Sequence, residues 1–216
     1  MKGLLLKDWY QVKTNMRMMY LTVLAVLAIW TLSTSGDSSF AVDYSAVFLG
    51  IMPAYLLSYD HASGWTEYSF ALPLSKELQV AEKYLIGLFC AAAAVVIGGL
   101  FITVISLRTG TTPDKDALSL LAGSVCAILL INGIMLPLYY RFGAEKARML
   151  YMLMFAGMGA ALGGGTVLMD ELQQNGPGSG PLPVPLWLAA VLLLAVLALY
   201  AVSWRVSVAW YGKYKK

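Results

Sequence analysis

Charge is what this sequence has least of. Only 12% of its 216 residues are charged, about half the roughly 25% usual in soluble domains. Histidine occurs once, as His61, and cysteine twice, as Cys90 and Cys126. A lone histidine and two cysteines buried in apolar runs leave no metal-ligand set and at most one disulfide. Both cysteines read as small buried hydrophobes, and His61 as a solvated residue at a span end. Short glycine runs occur, but no Lys-Ser/Thr follows them, which excludes a phosphate loop. What fills the chain instead is apolar, at 59% hydrophobic residues. A soluble domain of this size has too little interior to bury that much apolar surface. Six spans of about 20 residues would use roughly 120 residues. The remainder is too short for a separate catalytic domain.

The apolar runs set the fold class: an all-α integral membrane protein. Six spans are expected, at about 18–34, 42–59, 84–107, 117–140, 149–169 and 185–204. All have the length of a bilayer helix rather than a core helix. Ten-residue alternation is missing, which excludes a β-barrel. With six spans both termini share one side. Of 15 lysines and arginines, only Arg108 and Lys115 fall on the opposite side. The positive-inside bias therefore predicts cytoplasmic termini. The whole chain, 1–216, reads as a single transmembrane domain.

The span centres hold no Lys, Arg, Asp, Glu or His. A charge there costs about 2.5–3.5 kcal/mol on insertion scales and is kept only for function. Ion-coupled transport and intramembrane metalloprotease chemistry are thereby disfavoured. Asn132 is the most polar residue deep in a span, as a helix-packing contact or a substrate contact. Pro53 and Pro137 are candidate kinks, and with Asn132 they are the candidate path residues. Gly163 to Gly165 either pack a neighbouring helix closely or break span five. Spans two and five are the expected path lining.

Two segments outside the spans carry pattern. Leu5, Trp9, Val12, Met16 and Met19 recur at intervals of four, three, four and three, one stripe of a helix. Residues 1–17 thus form an amphipathic elbow helix in the membrane surface, with Lys7, Gln11 and Thr14 on its far side. It is either a topology anchor or also a contact for a cytoplasmic partner. The second segment is the loop 60–82. Trp65, Tyr68 and Leu72 have helical spacing, Leu72-Pro73 ends that helix, and Ser75 is placed to cap the next. A short aromatic helix on a cytoplasmic loop is a knob for a groove on another protein, or else lies flat on the membrane.

The opening residues from Met1 to Tyr10 resemble the start of the small six-span permease subunits of ABC-2-type exporters. So do Met52-Pro53, Ser58-Tyr59-Asp60, Trp65, Tyr68, Leu72-Pro73 and Lys83-Tyr84. The nearest group is the Gram-positive exporters of peptides, bacteriocins and phenol-soluble modulins. His61 is a departure, because an acidic residue is expected there. The resemblance implies an ABC-2, type V exporter-like transmembrane domain in a bacterial plasma membrane. It implies a coupling helix that docks on an ATPase subunit through Trp65, Thr66, Glu67, Tyr68 and Phe70. It also implies a second permease copy or homologue across the path. The chain itself has no Walker pattern, so ATP and Mg would bind the partner and no cofactor would bind here. No nucleic-acid partner is expected. The function expected is export of an amphipathic or hydrophobic substrate. The alternative is a membrane immunity, sensor or regulatory protein that transports nothing. A lipid-modifying enzyme is a third class, but no cluster of acids, His or Cys supports it.

Overall fold

The computed structural model describes residues 2–33, 39–110, 115–174 and 186–211. All of them lie in helices or short connections. The helices are α1 (Lys2–Asn15), α2 (Arg17–Ser33), α3 (Ser39–Ala62), α4 (Trp65–Ala71), α5 (Lys76–Thr109), α6 (Lys115–Gln174) and α7 (Leu186–Tyr211). Most of the predicted outer loop 170–184, and the side chains of Met19 and Phe70, lie outside the described residues.

Among the described residues, four helices are long and apolar enough to cross a bilayer, or five if the bent pair α1–α2 counts as one span. The segment expected at 18–34 is α2, which has only 17 residues. The segment expected at 149–169 is the far half of α6, where most side chains lie outside the described residues. Gly163 to Gly165 continue that helix without a break. The interruption in α6 falls earlier, at Gly143, with φ 80° and ψ 170°. No residue with a Cβ takes that conformation cheaply, so glycine marks the corner between the two halves.

Helix α3 is the hub, packed on both α5 and α6. Its inward face repeats at three and four residues through Val42, Ala46, Leu49, Pro53, Leu56 and Asp60. The opposite face leaves Val47, Tyr55 and Tyr59 exposed. Small residues let neighbours close in. At Gly87 on α5, the Tyr200 hydroxyl of α7 occupies the place a Cβ would need. That hydroxyl donates to the Tyr84 carbonyl at 2.8 Å. Tyr84 in turn shares hydrogen bonds of 2.7 Å with Ser203 and with Ser207. This polar seam binds α5 to α7, where hydrogen bonds between helices are each worth about 1 kcal/mol.

Short connections set the geometry around α4. Gly64 enters it at φ 73°, and Leu72 leaves it in an extended conformation before Pro73. Ser75 caps α5, its hydroxyl accepting from the Leu78 amide at 3.3 Å. Helix α5 has 34 residues. It rises about 51 Å at 1.5 Å per residue, against a hydrocarbon core of about 30 Å. The helix is thus longer than one span requires, and its first two turns, through Lys83, carry Gln79, which hydrogen-bonds Ser69 of α4.

Candidate functional site

Five ionisable side chains from three helices meet beside α4. Asp8 comes from the inward face of α1, next to Lys7. Asp60 closes the last turn of α3, and Glu82 and Lys83 come from the second turn of α5. Lys83 Nζ is 2.7 Å from a carboxylate oxygen of Asp8 and 2.7 Å from one of Asp60. Lys7 Nζ is 2.7 Å from the other oxygen of Asp60 and 2.9 Å from that of Asp8. Each cation thus bridges both anions in a closed ring. The side chains of Lys83, Asp8 and Asp60 are only 3–5% exposed.

Glu82 is the fifth member, buried beside the ring. Burial pushes its carboxyl up to about 8; Lys83 opposes the rise, and the hydrogen bond and charge of Asp8 add to it. Burial also acts to raise Asp8, but Lys83, the Glu82 hydrogen bond and Lys7 together hold it below the usual carboxylate value. Glu82 Oε1 makes no other hydrogen bond, and Asp8 Oδ1 has only its ion pair with Lys7. Asp8 and Glu82 hydrogen-bond each other, and Glu82, with its carboxyl raised, is the acid that carries the proton. The cluster is then two cations, two anions and one neutral acid, with no net charge. An isolated buried charge would be far more costly.

Helix α4 joins this cluster on one side and a second network on the other. Lys7 Nζ lies 4.6 Å from the centre of the Trp65 ring, a cation–π contact. Trp65 and Tyr68 pack with ring centres 5.5 Å apart. Ser69 donates to Gln79 Oε1 at 3.2 Å, and Gln79 Nε2 donates to the Ser69 carbonyl at 3.2 Å. The Tyr211 hydroxyl from the end of α7 also donates to Gln79 Oε1. A cavity of about 60 Å³ is lined by residues of both networks, among them Asp60, Glu82 and Lys83 of the first and Ser69, Gln79 and Tyr211 of the second. That is room for a few waters.

The residues singled out from the sequence divide by position. Trp65 and Thr66 are half-buried and line this cavity. Glu67 and Tyr68 are exposed, Tyr68 at 57%. Of the stripe expected on α1, Val12 and the following Met16 are buried, Leu5 is half-buried and Trp9 is 65% exposed, while Leu4 and Asp8 are the other buried positions of the helix. Lys7, expected on the far side, is turned into the ion cluster. Pro53 and Pro137 are buried in α3 and α6, away from α4. Asn132 is fully buried, and its amide donates to the Ile128 carbonyl of its own helix at 2.9 Å. His61 is exposed at the cavity mouth. Sequence reasoning missed Asp8 and Glu82 as site residues. The available signal was that Asp8, Asp60 and Glu82 are acids placed among the basic residues of one side.

A family model described as ABC-2 family transporter protein matches residues 3–212. The chain belongs to the ABC-2 transporter family. No curated protein and no solved structure gives a significant match. ABC-2 permeases are multi-pass membrane components of transporters, not catalytic subunits, and generally work with an ATPase partner. In this ABC-2 permease, α4 is thus anchored to α1 through Lys7 and to α5 and α7 through Gln79.

Proposed function

We propose that this chain is the permease subunit of an ATP-driven exporter, powered by a separate ATPase that docks on α4. The observation that carries the reading is the two-sided build of α4. Its outer face offers Glu67 and Tyr68 to a partner, while Trp65, Thr66 and Ser69 are held against the helix bundle. Exposed tyrosines are common anchors of protein interfaces. ATP binding would move the docked subunits, and α4 would pass that motion to α1, α5 and α7.

The substrate class is amphipathic or hydrophobic: a peptide, a bacteriocin or a drug-like molecule. In support, the exposed stripe of α3 carries Val47, Tyr55 and Tyr59, with Asp43 as its one charged residue, near the helix start. A second permease copy or homologue would close the path against that stripe. The positive-inside bias supports placing α4 and both termini on the cytoplasmic side, and the resemblance to exporter permeases supports a bacterial plasma membrane.

The test is co-purification with the ATPase encoded as its partner, followed by titration in detergent. Tyr68→Ala combined with Glu67→Ala is expected to weaken association roughly 10- to 100-fold, a hot-spot effect. Unchanged affinity in the double variant would remove the docking role from α4.

A further inference from the structure

Below the ion cluster a groove opens sideways between α1–α2 and the pair α3 and α5. It encloses about 450 Å³. Leu5 and Trp9 form one wall, and Leu49, Met52, Phe89 and Ala93 form the others. From Phe89 to Ala93 on α5, and from Met52 back to Leu49 on α3, the lining turns follow the bundle axis. With Ile86 and Leu56 included, the groove runs about 10 Å along each helix at 1.5 Å per residue. That is most of one leaflet's share of a core about 30 Å thick. Asp8 reaches the groove, but its carboxylate is spent on Lys83 and Lys7.

The rim carries the opposite character. Lys13 stands one helical turn after Trp9 on α1, and Arg17 stands one turn before Tyr20 on α2. Trp9 and Tyr20 both line the groove, and Lys13 and Arg17 are both exposed. Two exposed cations thus stand one helical turn from two residues that line the apolar slot. We propose that this groove binds one anionic phospholipid, an acyl chain between α1 and α5 and the phosphate between Lys13 and Arg17. The chain replaces a void that membrane packing does not tolerate, and the two cations select the headgroup. The site would tie the position of α1, and hence Lys7 and Asp8, to the surrounding lipid. It uses neither the export reading nor the orientation. A permease facing the other way would present the same groove to the other leaflet.

Trp9 supplies the probe. The intact chain in detergent micelles is titrated with phosphatidylglycerol or phosphatidylcholine brominated on the acyl chain. The Trp9 signal is taken as the difference between wild type and Trp9→Phe. Phosphatidylglycerol is expected to half-quench Trp9 at a mole fraction roughly tenfold lower than phosphatidylcholine. In Lys13→Gln/Arg17→Gln, whose changes are on exposed side chains, the two lipids should become equivalent. Ala93→Phe, which fills the slot, should remove the saturable quenching by both. Equal quenching by the two lipids in wild type would overturn the proposal, since the groove would then hold only bulk lipid. So would anionic preference that survives either variant, or a groove closed by a second copy of the chain, seen as quenching by neither lipid.

Discussion

The two ends of α5 are fastened by cations in opposite ways. At one end Lys83, 3% exposed, bridges two carboxylates at 2.7 Å each. At the other, Arg108 is exposed and donates to the last carbonyls of α2, those of Thr31 and Leu32, the latter at 3.0 Å. Arg108 caps a helix end and meets its dipole, with water free to replace it. Lys83 has no such substitute. Buried ion pairs are weak sources of net stability, because desolvation offsets their attraction. A largely buried cluster of five ionisable groups is therefore better explained by what it positions than by what it stabilises. It fixes α1, α3 and α5 to one another at the level of α4. The far end of α5 needs no such definition if the working motion enters at α4.

The largest expected effect comes from breaking the ring. Lys83→Met leaves Asp8 and Asp60 with Lys7 alone, which is partly solvated. Loss of one partner from a buried pair costs about 3–5 kcal/mol, which for a chain of this size lowers Tm by roughly 10 °C or more. Thermal unfolding in detergent, followed by tryptophan fluorescence, reads this directly. Lys83→Met with Asp8→Asn and Asp60→Asn should recover most of the loss, since no buried charge is then abandoned. A single variant as stable as wild type would mean that water reaches the ring, and the contrast between the two ends of α5 would dissolve.

Glu82 sharpens the same comparison by pH. Its carboxyl is raised in the folded protein, from 4.5 to about 8. Below about 4.5 both folded and unfolded chains hold the proton and ionisation costs nothing. Between about 4.5 and 8 the unfolded chain gives up its proton while the folded one keeps it, so stability falls as pH rises. Asp8 is shifted the other way, and its contribution is lost only as pH drops into the acid range below the usual aspartate value. Melting temperature measured from pH 5 to pH 8.5 should therefore decline in wild type and decline less in Glu82→Gln, which stays neutral throughout. A parallel pH profile in the two proteins would place the ionised form of Glu82 in the ring.

How far the sequence reached differs between these features. Apolar helices, the short helix bearing Trp65 and Tyr68 and the Ser75 cap follow from local rules about apolar runs, helical spacing and hydroxyl caps. The ring does not. Lys83 meets Asp8 across 75 positions and Lys7 meets Asp60 across 53. In a membrane protein, charges beside spans are read first as topology signals, and that reading hides their pairing. The register of α1 shows the same limit. Counting apolar residues finds the membrane-surface stripe through Leu5, Trp9 and Val12 but not the face that meets the bundle, which carries Leu4, Asp8 and Val12. An aspartate belongs on an inward face only when a distant lysine meets it. Trp9 is then free to face lipid, where an amphipathic ring is at home.

The smallest effect should come from the exposed end. Arg108→Ala removes two hydrogen bonds to carbonyls that water can also serve. Charge at a helix C-terminus contributes about 0.3–1 kcal/mol, so Tm should fall by no more than a few degrees. ATPase association should not change, because no contact links Arg108 to α4 among the described residues. Combined with Lys83→Met, the two losses should add, since the sites stand at opposite ends of a 34-residue helix and share no partner. Non-additivity would show that α5 transmits strain along its whole length. The motion entering at α4 would then reach the far end of the bundle through this helix as a rigid lever, and the fastening of α5 at Arg108 would be part of the working mechanism.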